Sequence, residues 1–188
     1  MRCDIDCGRA AKEMPLSNRL FVIAFILPML TGAVALADGP ADPAAVKSQD
    51  GENFDKDGSP TYKVQTDGTV DWYTYSGYRR YHSECHVCHG PDGEGSTYAP
   101  ALKNSLKRLS YSDFLGIVAG GRKNVSTAQE SVMPAFGTNP NVMCYIDDMY
   151  VYLRARANEV IGRMRPEKRE PKPEAYSKAE DACLGEKR

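Results

Sequence analysis

The stretch Cys85-His86-Val87-Cys88-His89 decides how this chain is read. It has the form C-x-x-C-H, the attachment pattern of a c-type haem. Two thiols three residues apart lie on one face of a helical turn, so each can form a thioether to one haem vinyl group. His89, four residues after Cys85, turns its imidazole the same way, toward the iron. Two other chemistries use short-spaced cysteines. A thioredoxin-like pair belongs at a helix N-terminus in a βαβ unit, whereas the residues on both sides of Cys85 read as helical. A structural zinc site takes four ligands, usually as two short pairs, but Cys144 and Cys183 stand alone and far apart, and His82 and His86 have no second cluster to join. Covalent haem is the reading this stretch supports best.

Attachment of this kind takes place outside the cytoplasm, and the start of the chain agrees. Leu20 to Leu36 is an apolar run, and Ala35-Leu36-Ala37 supplies a small-x-small pattern before Asp38, which predicts an export signal cleaved after Ala37. The run is short for a membrane span, contains Pro28 and lacks a basic stop-transfer cluster, so no permanent span is expected. Asp4, Asp6 and Glu13 are unusual ahead of a signal, which points to initiation at Met14, with Arg19 as the signal's positive charge. Cys3 and Cys7 leave with the signal. Removing 37 of 188 residues leaves 151, and taking four of 24 basic and three of 25 acidic side chains leaves 20 against 22, a charge of −2. That balance carries no nucleic-acid footprint and suits one domain with extensions.

From Asp38 to about Asp57 the composition predicts an irregular surface segment. Asn53, Asp55, Asp57 and Gly58 resemble the start of a calcium loop, but the twelfth position is Val64 rather than Glu, so a solvated turn is expected. Alternating residues Tyr62–Thr66 and Thr69–Trp72 around Asp67-Gly68 predict a small β-hairpin, with Trp72 and Tyr73 packing this arm on the body. A helix is predicted from Asp71 or Trp72 to Cys88, with Gly77, Tyr81, Cys85 and Cys88 on one stripe. Glycine weakens a helix by roughly 1 kcal/mol against alanine, so Gly77 on that stripe suggests another helix crossing closely. The partner is a predicted helix from Met143 to about Asn158, carrying Met149, Tyr152 and Leu153, with Arg154 and Arg156 suiting the dipole at its end. Between them lie a tight loop at Gly90–Gly95 and a helix over Ser112–Ala119, capped by Ser110 or Ser112 and stopped by Gly120-Gly121.

Iron needs a second axial group. Met143 and Met149 sit in the last predicted helix, where an apolar face explains them as core, and Met164 lies among Arg163, Arg165 and Pro166 at the surface. Met133 precedes Pro134 in a segment that reads as an irregular loop, which makes it the expected sixth ligand. His82 and His86 are the runners-up, but each is tied to the helical turn around the attachment site.

Taken together, Gly77 and Tyr81 before Cys85-x-x-Cys88-His89-Gly90, then Pro100, Met133 in Met-Pro-Ala-Phe-Gly, and Tyr150-Val151-Tyr152-Leu153 resemble a class I cytochrome c over residues 71–158. The resemblance implies an all-α fold around one covalent haem c, with a small N-terminal β-hairpin arm in 38–70 and an irregular tail in 159–188. It also implies that Gly77 and Tyr81 pack against Met149 and Tyr152, and that the Pro100 carbonyl accepts the Nδ1–H of His89. The mature chain further resembles the four-cysteine cytochromes of methanol metabolism, through Asp67–Trp72, Arg80-Tyr81-His82, Gly95–Pro100 and the lone cysteines. In that group Cys144 and Cys183 would pair as a disulfide pinning the tail, and the redox partners would be a PQQ-dependent alcohol dehydrogenase and a downstream cytochrome or oxidase. A periplasmic one-electron carrier, not an enzyme, is the function implied. A five-coordinate haem that binds small ligands or peroxide, and a haem subunit held in a dehydrogenase complex, are the alternatives.

Overall fold

The computed structural model describes residues 43–125 and 130–185. The chain divides into two units, Met1–Ala35 and Leu36–Arg188, and the described residues lie in the second. The export signal, the cleavage site after Ala37 and the Met14 start fall outside them.

Helix α1 (Trp72–Glu84) begins where the Asp71 side chain accepts hydrogen bonds from the Thr74 amide at 2.8 Å and the Thr74 hydroxyl at 2.7 Å. A third bond, from the Lys63 amide at 2.7 Å, ties the incoming chain to the same carboxylate. The expected helix to Cys88 is in fact two. Cys85, at φ −117° and ψ −30°, is the joint between them, and α2 (His86–His89) adds a further turn that Gly90 stops at φ 72°.

The expected helix from Met143 is also broken. Pro140, behind the Asn139 cap, opens α5 (Pro140–Met143); Tyr145, at φ −133°, interrupts the helix; α6 (Ile146–Ala157) follows. α6 crosses α1 at Gly77, where a Cβ would meet the Tyr152 Cβ at 2.7 Å. Tyr81, Met149, Tyr152 and Leu153 form the heart of the core at 1% exposure or less. Arg154 and Arg156 lie in the last turn of α6 as expected, and both are buried, Arg154 donating to Asp55 at 2.8 Å and Arg156 to Glu94 at 2.7 Å.

The N-terminal segment corrects three expectations. Strands β1 (Lys47–Gln49), β2 (Glu52–Phe54) and β3 (Pro60–Thr61) form an antiparallel sheet in that order, with Ser48 opposite Asn53 and Phe54 opposite Pro60. Its first turn is Asp50-Gly51, both residues at positive φ, the chemistry a two-residue hairpin demands. The hairpin expected at Asp67-Gly68 is reduced to one bridge, Val64 to Val70, with backbone bonds from Gln65 N to Thr69 O at 2.8 Å and from Asp71 N to Lys63 O at 3.0 Å, while the Val70 N–H and C=O on the other edge pair with Lys168 and Glu170 of the tail. Asp55 is not in a solvated turn; it is buried against Arg154 while accepting from the Asp57 and Ser59 amides. Among the described residues no group of three or more His, Cys, Asp or Glu side chains is placed to hold a metal ion.

The tail is not irregular throughout. Helix α7 (Glu174–Leu184) buries Tyr176, whose hydroxyl donates to Asp148 at 2.5 Å and lies 2.7 Å from the Ser76 hydroxyl. Glu180 accepts from Arg80 at 3.1 Å and Tyr145 at 2.7 Å. Trp72 and Tyr73 pack edge-on against Tyr176, at 5.8 and 5.0 Å, so they hold the tail as well as the entering arm. The sulfurs of Cys144 and Cys183 lie at bonding distance, 1.98 Å, with Cα atoms 5.8 Å apart.

Between the two halves of the helical core come α3 (Leu102–Ser105) and α4 (Tyr111–Gly120), the latter capped by Ser110 and stopped by Gly121 at φ 73°. Strands β4 (Arg122–Val125) and β5 (Glu130–Met133) form an antiparallel ribbon with Arg122 opposite Met133. Met133 thus ends a strand rather than lying in an irregular loop. The architecture is helical with two small antiparallel sheets, in keeping with the expected helical core carrying a small β arm. Among the described residues no helix is long and apolar enough to cross a membrane.

Candidate haem-binding site

The Gly90–Gly95 loop folds so tightly under α2 that a Cβ on Gly90 would meet the Gly95 carbonyl oxygen at 2.2 Å. The Gly95 amide donates to His89 O at 2.7 Å, and the buried Tyr81 hydroxyl donates to Gly90 O at 2.5 Å and accepts from the Gly93 amide at 3.0 Å. Ser96 donates its hydroxyl to Cys88 O. These bonds fix the peptide that carries His89.

His89 is 8% exposed, and its Nδ1 lies 3.0 Å from the Pro100 carbonyl oxygen. A carbonyl can only accept, so Nδ1 carries a proton and Nε2 is the nitrogen left to face the cleft. Cys85 is half-buried, Cys88 is exposed, and neither is in a disulfide. As a thiol, Cys85 is pushed by burial up to about 12, the opposite of the activated thiolate a thioredoxin-like pair needs.

Cys85, His89 and Met133 line one cleft, and the other lining residues, among them Leu102, Phe114, Val118 and Phe136, are all apolar. Met133 is brought there by backbone bonds from Phe136 N to Val118 O and from Gly137 N to Ala119 O, both 3.0 Å, which fasten its segment to the end of α4. Gly121 permits the approach: a Cβ there would lie 2.8 Å from Met133 O. Of the competing methionines, Met149 lines the cleft as core, with Sδ 3.8 Å from Cys85 Sγ, while Met143 is outside the lining and Met164 is 75% exposed. His82 is committed to Tyr78 O at 2.8 Å and to the neighbourhood of Asp92 at 3.4 Å, and His86 stacks on it at 5.8 Å; neither lines the cleft. An apolar cleft lined by the His89 imidazole, the Met133 and Met149 thioethers and the Cys85 thiol is a donor set that fits a haem.

Tyr81 as a double clamp on the loop, and Gly121 as the point where the Met133 segment docks, are roles the sequence did not reveal. The only signals were a tyrosine on the Cys85 stripe and a glycine pair that reads as a helix stop.

The chain is 52% identical over 160 residues to cytochrome c-553I of Paracoccus denitrificans, a match spanning 82% of this chain and 71% of that relative. This chain belongs to the c-type cytochromes. It is 40% identical over 93 residues to cytochrome c-555 of Methylococcus capsulatus, across 49% of the cytochrome described here and 69% of the relative. It is similar to the crystal structure of the c-type cytochrome XoxG from Methylobacterium extorquens AM1, with TM-score 0.70 and 62% identity over 76% of this chain and 87% of that one. No family model matches it. These matches bear out the resemblance to class I cytochromes of the methanol-related group. As a c-type cytochrome the protein carries one covalently attached haem c and is an electron carrier rather than an enzyme.

Proposed function

We propose that this cytochrome is a periplasmic one-electron carrier that accepts electrons from a PQQ-dependent methanol or alcohol dehydrogenase and passes them to a downstream cytochrome or oxidase. The observation that carries the site assignment is the convergence of His89 and Met133 on one apolar cleft. The dehydrogenase partner rests on the likeness to XoxG and on the four-cysteine resemblance.

In this reading Cys85 and Cys88 hold the haem through thioethers, and His89 and Met133 are its axial ligands. Bound there, the haem supplies the one-electron ferric/ferrous couple. Pro100 orients His89 and raises its basicity through the Nδ1 bond. Leu102, Phe114 and Val118 keep water out and lower the local dielectric. No acid, base or nucleophile is called on. Export after cleavage at Ala37 places the chain where Cys144 and Cys183 pair as a disulfide and fasten α7.

Rapid mixing tests the partner. Ferric protein with a purified PQQ-dependent methanol dehydrogenase and methanol should show the reduced-haem absorbance growing within seconds. Reduction no faster than in the absence of the enzyme removes that partner.

A further inference from the structure

Between α6 and α7 the chain runs as a non-helical strap across the N-terminal end of α1. It is pinned where the Val70 amide donates to Lys168 O at 3.1 Å and the Glu170 amide to Val70 O at 2.9 Å. The strap lays two guanidinium groups over one ring: Arg165 and Arg169 sit 5.3 and 4.7 Å from the Tyr75 ring centre, and Arg169 is also 5.1 Å from that of Trp72. Both donate to the Tyr75 hydroxyl. Tyr75 is 3% exposed, so the shared acceptor is fixed in place.

Like charges do not gather on one neutral oxygen without cost. Yet among the described residues the ion pairs found nearby belong to others: Lys168 to Asp67, Arg163 to Asp92 and Lys172 to Glu180. A cleft of about 580 Å³ opens beside the two arginines, lined by Thr69, Tyr75 and residues 165–169. Lys168 adds a third cation at its edge, and Glu167 is the one carboxylate in the lining. The buried Trp72 Nε1, on the ring that Arg169 covers, has no hydrogen-bond partner among the described residues.

We propose that this cleft is a binding site for an inorganic oxyanion of the phosphate type, held between Arg165 and Arg169. A guanidinium presents paired N–H donors in a rigid fork that matches such an anion, and both forks already rest against aromatic rings, which places them side by side at the cleft. The Tyr75 phenol reports the local field: burial pushes its pKa up, but the bonds from Arg169 and Arg165 outweigh this and bring it below the ordinary value. A negative oxygen is favoured here. Tyr75 lies ten residues before Cys85 along α1, about 15 Å by helical rise, and the two clefts share no lining residue. The anion would clamp the strap onto α1.

The test is calorimetric titration of the haem-loaded protein with inorganic phosphate, alongside thermal unfolding in phosphate and in chloride at matched ionic strength. Saturable binding and a midpoint that rises with phosphate but not chloride are expected, since a ligand for the native state stabilises it. Arg165→Gln and Arg169→Gln should each weaken binding at least tenfold, with the haem spectrum unchanged as proof of folding, while Lys107→Gln, at the exposed Lys107–Glu159 pair outside the cleft lining, should not. Flat titration heats with the unaltered protein, equal midpoints in the two salts, or full binding in the folded Arg165→Gln/Arg169→Gln double variant would overturn the proposal. So would binding of a glutamate-rich peptide where phosphate is inert, which would make the cleft a contact for an acidic protein.

Discussion

Gly77 of α1 faces the backbone of Asp148 in α6 so closely that a Cβ on Gly77 would lie 1.9 Å from the Asp148 carbonyl oxygen. Backbone cannot swing aside as a side-chain tip can, so Gly77→Ala must push the helices apart along the seam that buries Tyr81 and Tyr152. Overpacking costs about 1–3 kcal/mol where a core can adjust; here the expected loss is at the upper end or beyond. Guanidinium denaturation followed by haem absorbance and by far-ultraviolet circular dichroism measures it, and a variant as stable as the parent would contradict the crossing.

The Asp55–Arg154 pair is the second rigid joint. Its side chains are 0% and 1% exposed, and it fastens the turn between β2 and β3 to α6. Asp55→Ala leaves a guanidinium buried beside an empty site and should cost about 3–5 kcal/mol. Replacing both residues by apolar ones should recover much of that loss, and urea titration of the single and double variants would show whether it does.

Stability should fall as pH rises from about 4 to about 8. Burial pushes the Asp148 carboxyl up to about 8, against partial compensation from Ser76 and Tyr176. Glu52 is raised to about 7, first by burial and then by Asp147 and Asp71. The unfolded carboxyls ionise near 4 while the folded ones keep their protons, so the native state holds more protons in that window and loses ground as they leave. Melting midpoints from pH 5 to pH 8 should decline, and Asp148→Asn should decline less; identical slopes would exclude Asp148 as the cause.

Loss of the Met133 thioether should be visible in the spectrum. The unaltered ferric protein should show the near-infrared absorption of methionine-ligated haem, and Met133→Ala should lose it and bind carbon monoxide readily when reduced. Met149→Leu, in the same cleft, should keep the band. If Met149→Leu removes it instead, the axial assignment moves to Met149.

Cys144→Ser/Cys183→Ser should lower stability by about 4 kcal/mol in the chain-entropy model for a closure spanning 39 residues of separation. Hydrogen exchange should quicken first in α7. Alkylation of both thiols in the native unreduced protein would show that no such bond exists.

Much of the site was legible from residue types. Cys85, Cys88 and His89 were singled out by spacing alone, and Gly77 announced the helix crossing. Met133 was expected at the site as part of an irregular loop before Pro134; it ends a strand that the Gly121 approach and two bonds to α4 carry to the cleft. Other elements were hidden because their stabilising contacts are distant in sequence. α7 has little apolar periodicity, yet Tyr176 reaches Ser76 and Asp148, and Glu180 reaches Arg80 and Tyr145. The Asp50-Gly51 turn was a local signal, overlooked beside the similar Asp67-Gly68.

By itself, then, the sequence determined the cofactor chemistry and the helices that carry it, because thioether spacing, caps and helical stripes act over a few residues. Only the tertiary structure decided which Asp-Gly turn built a sheet, that Arg154 and Arg156 are core residues, and that the tail folds back as a helix. Those outcomes depend on which buried charge or amide meets a partner up to a hundred residues away, and no local pattern records that meeting.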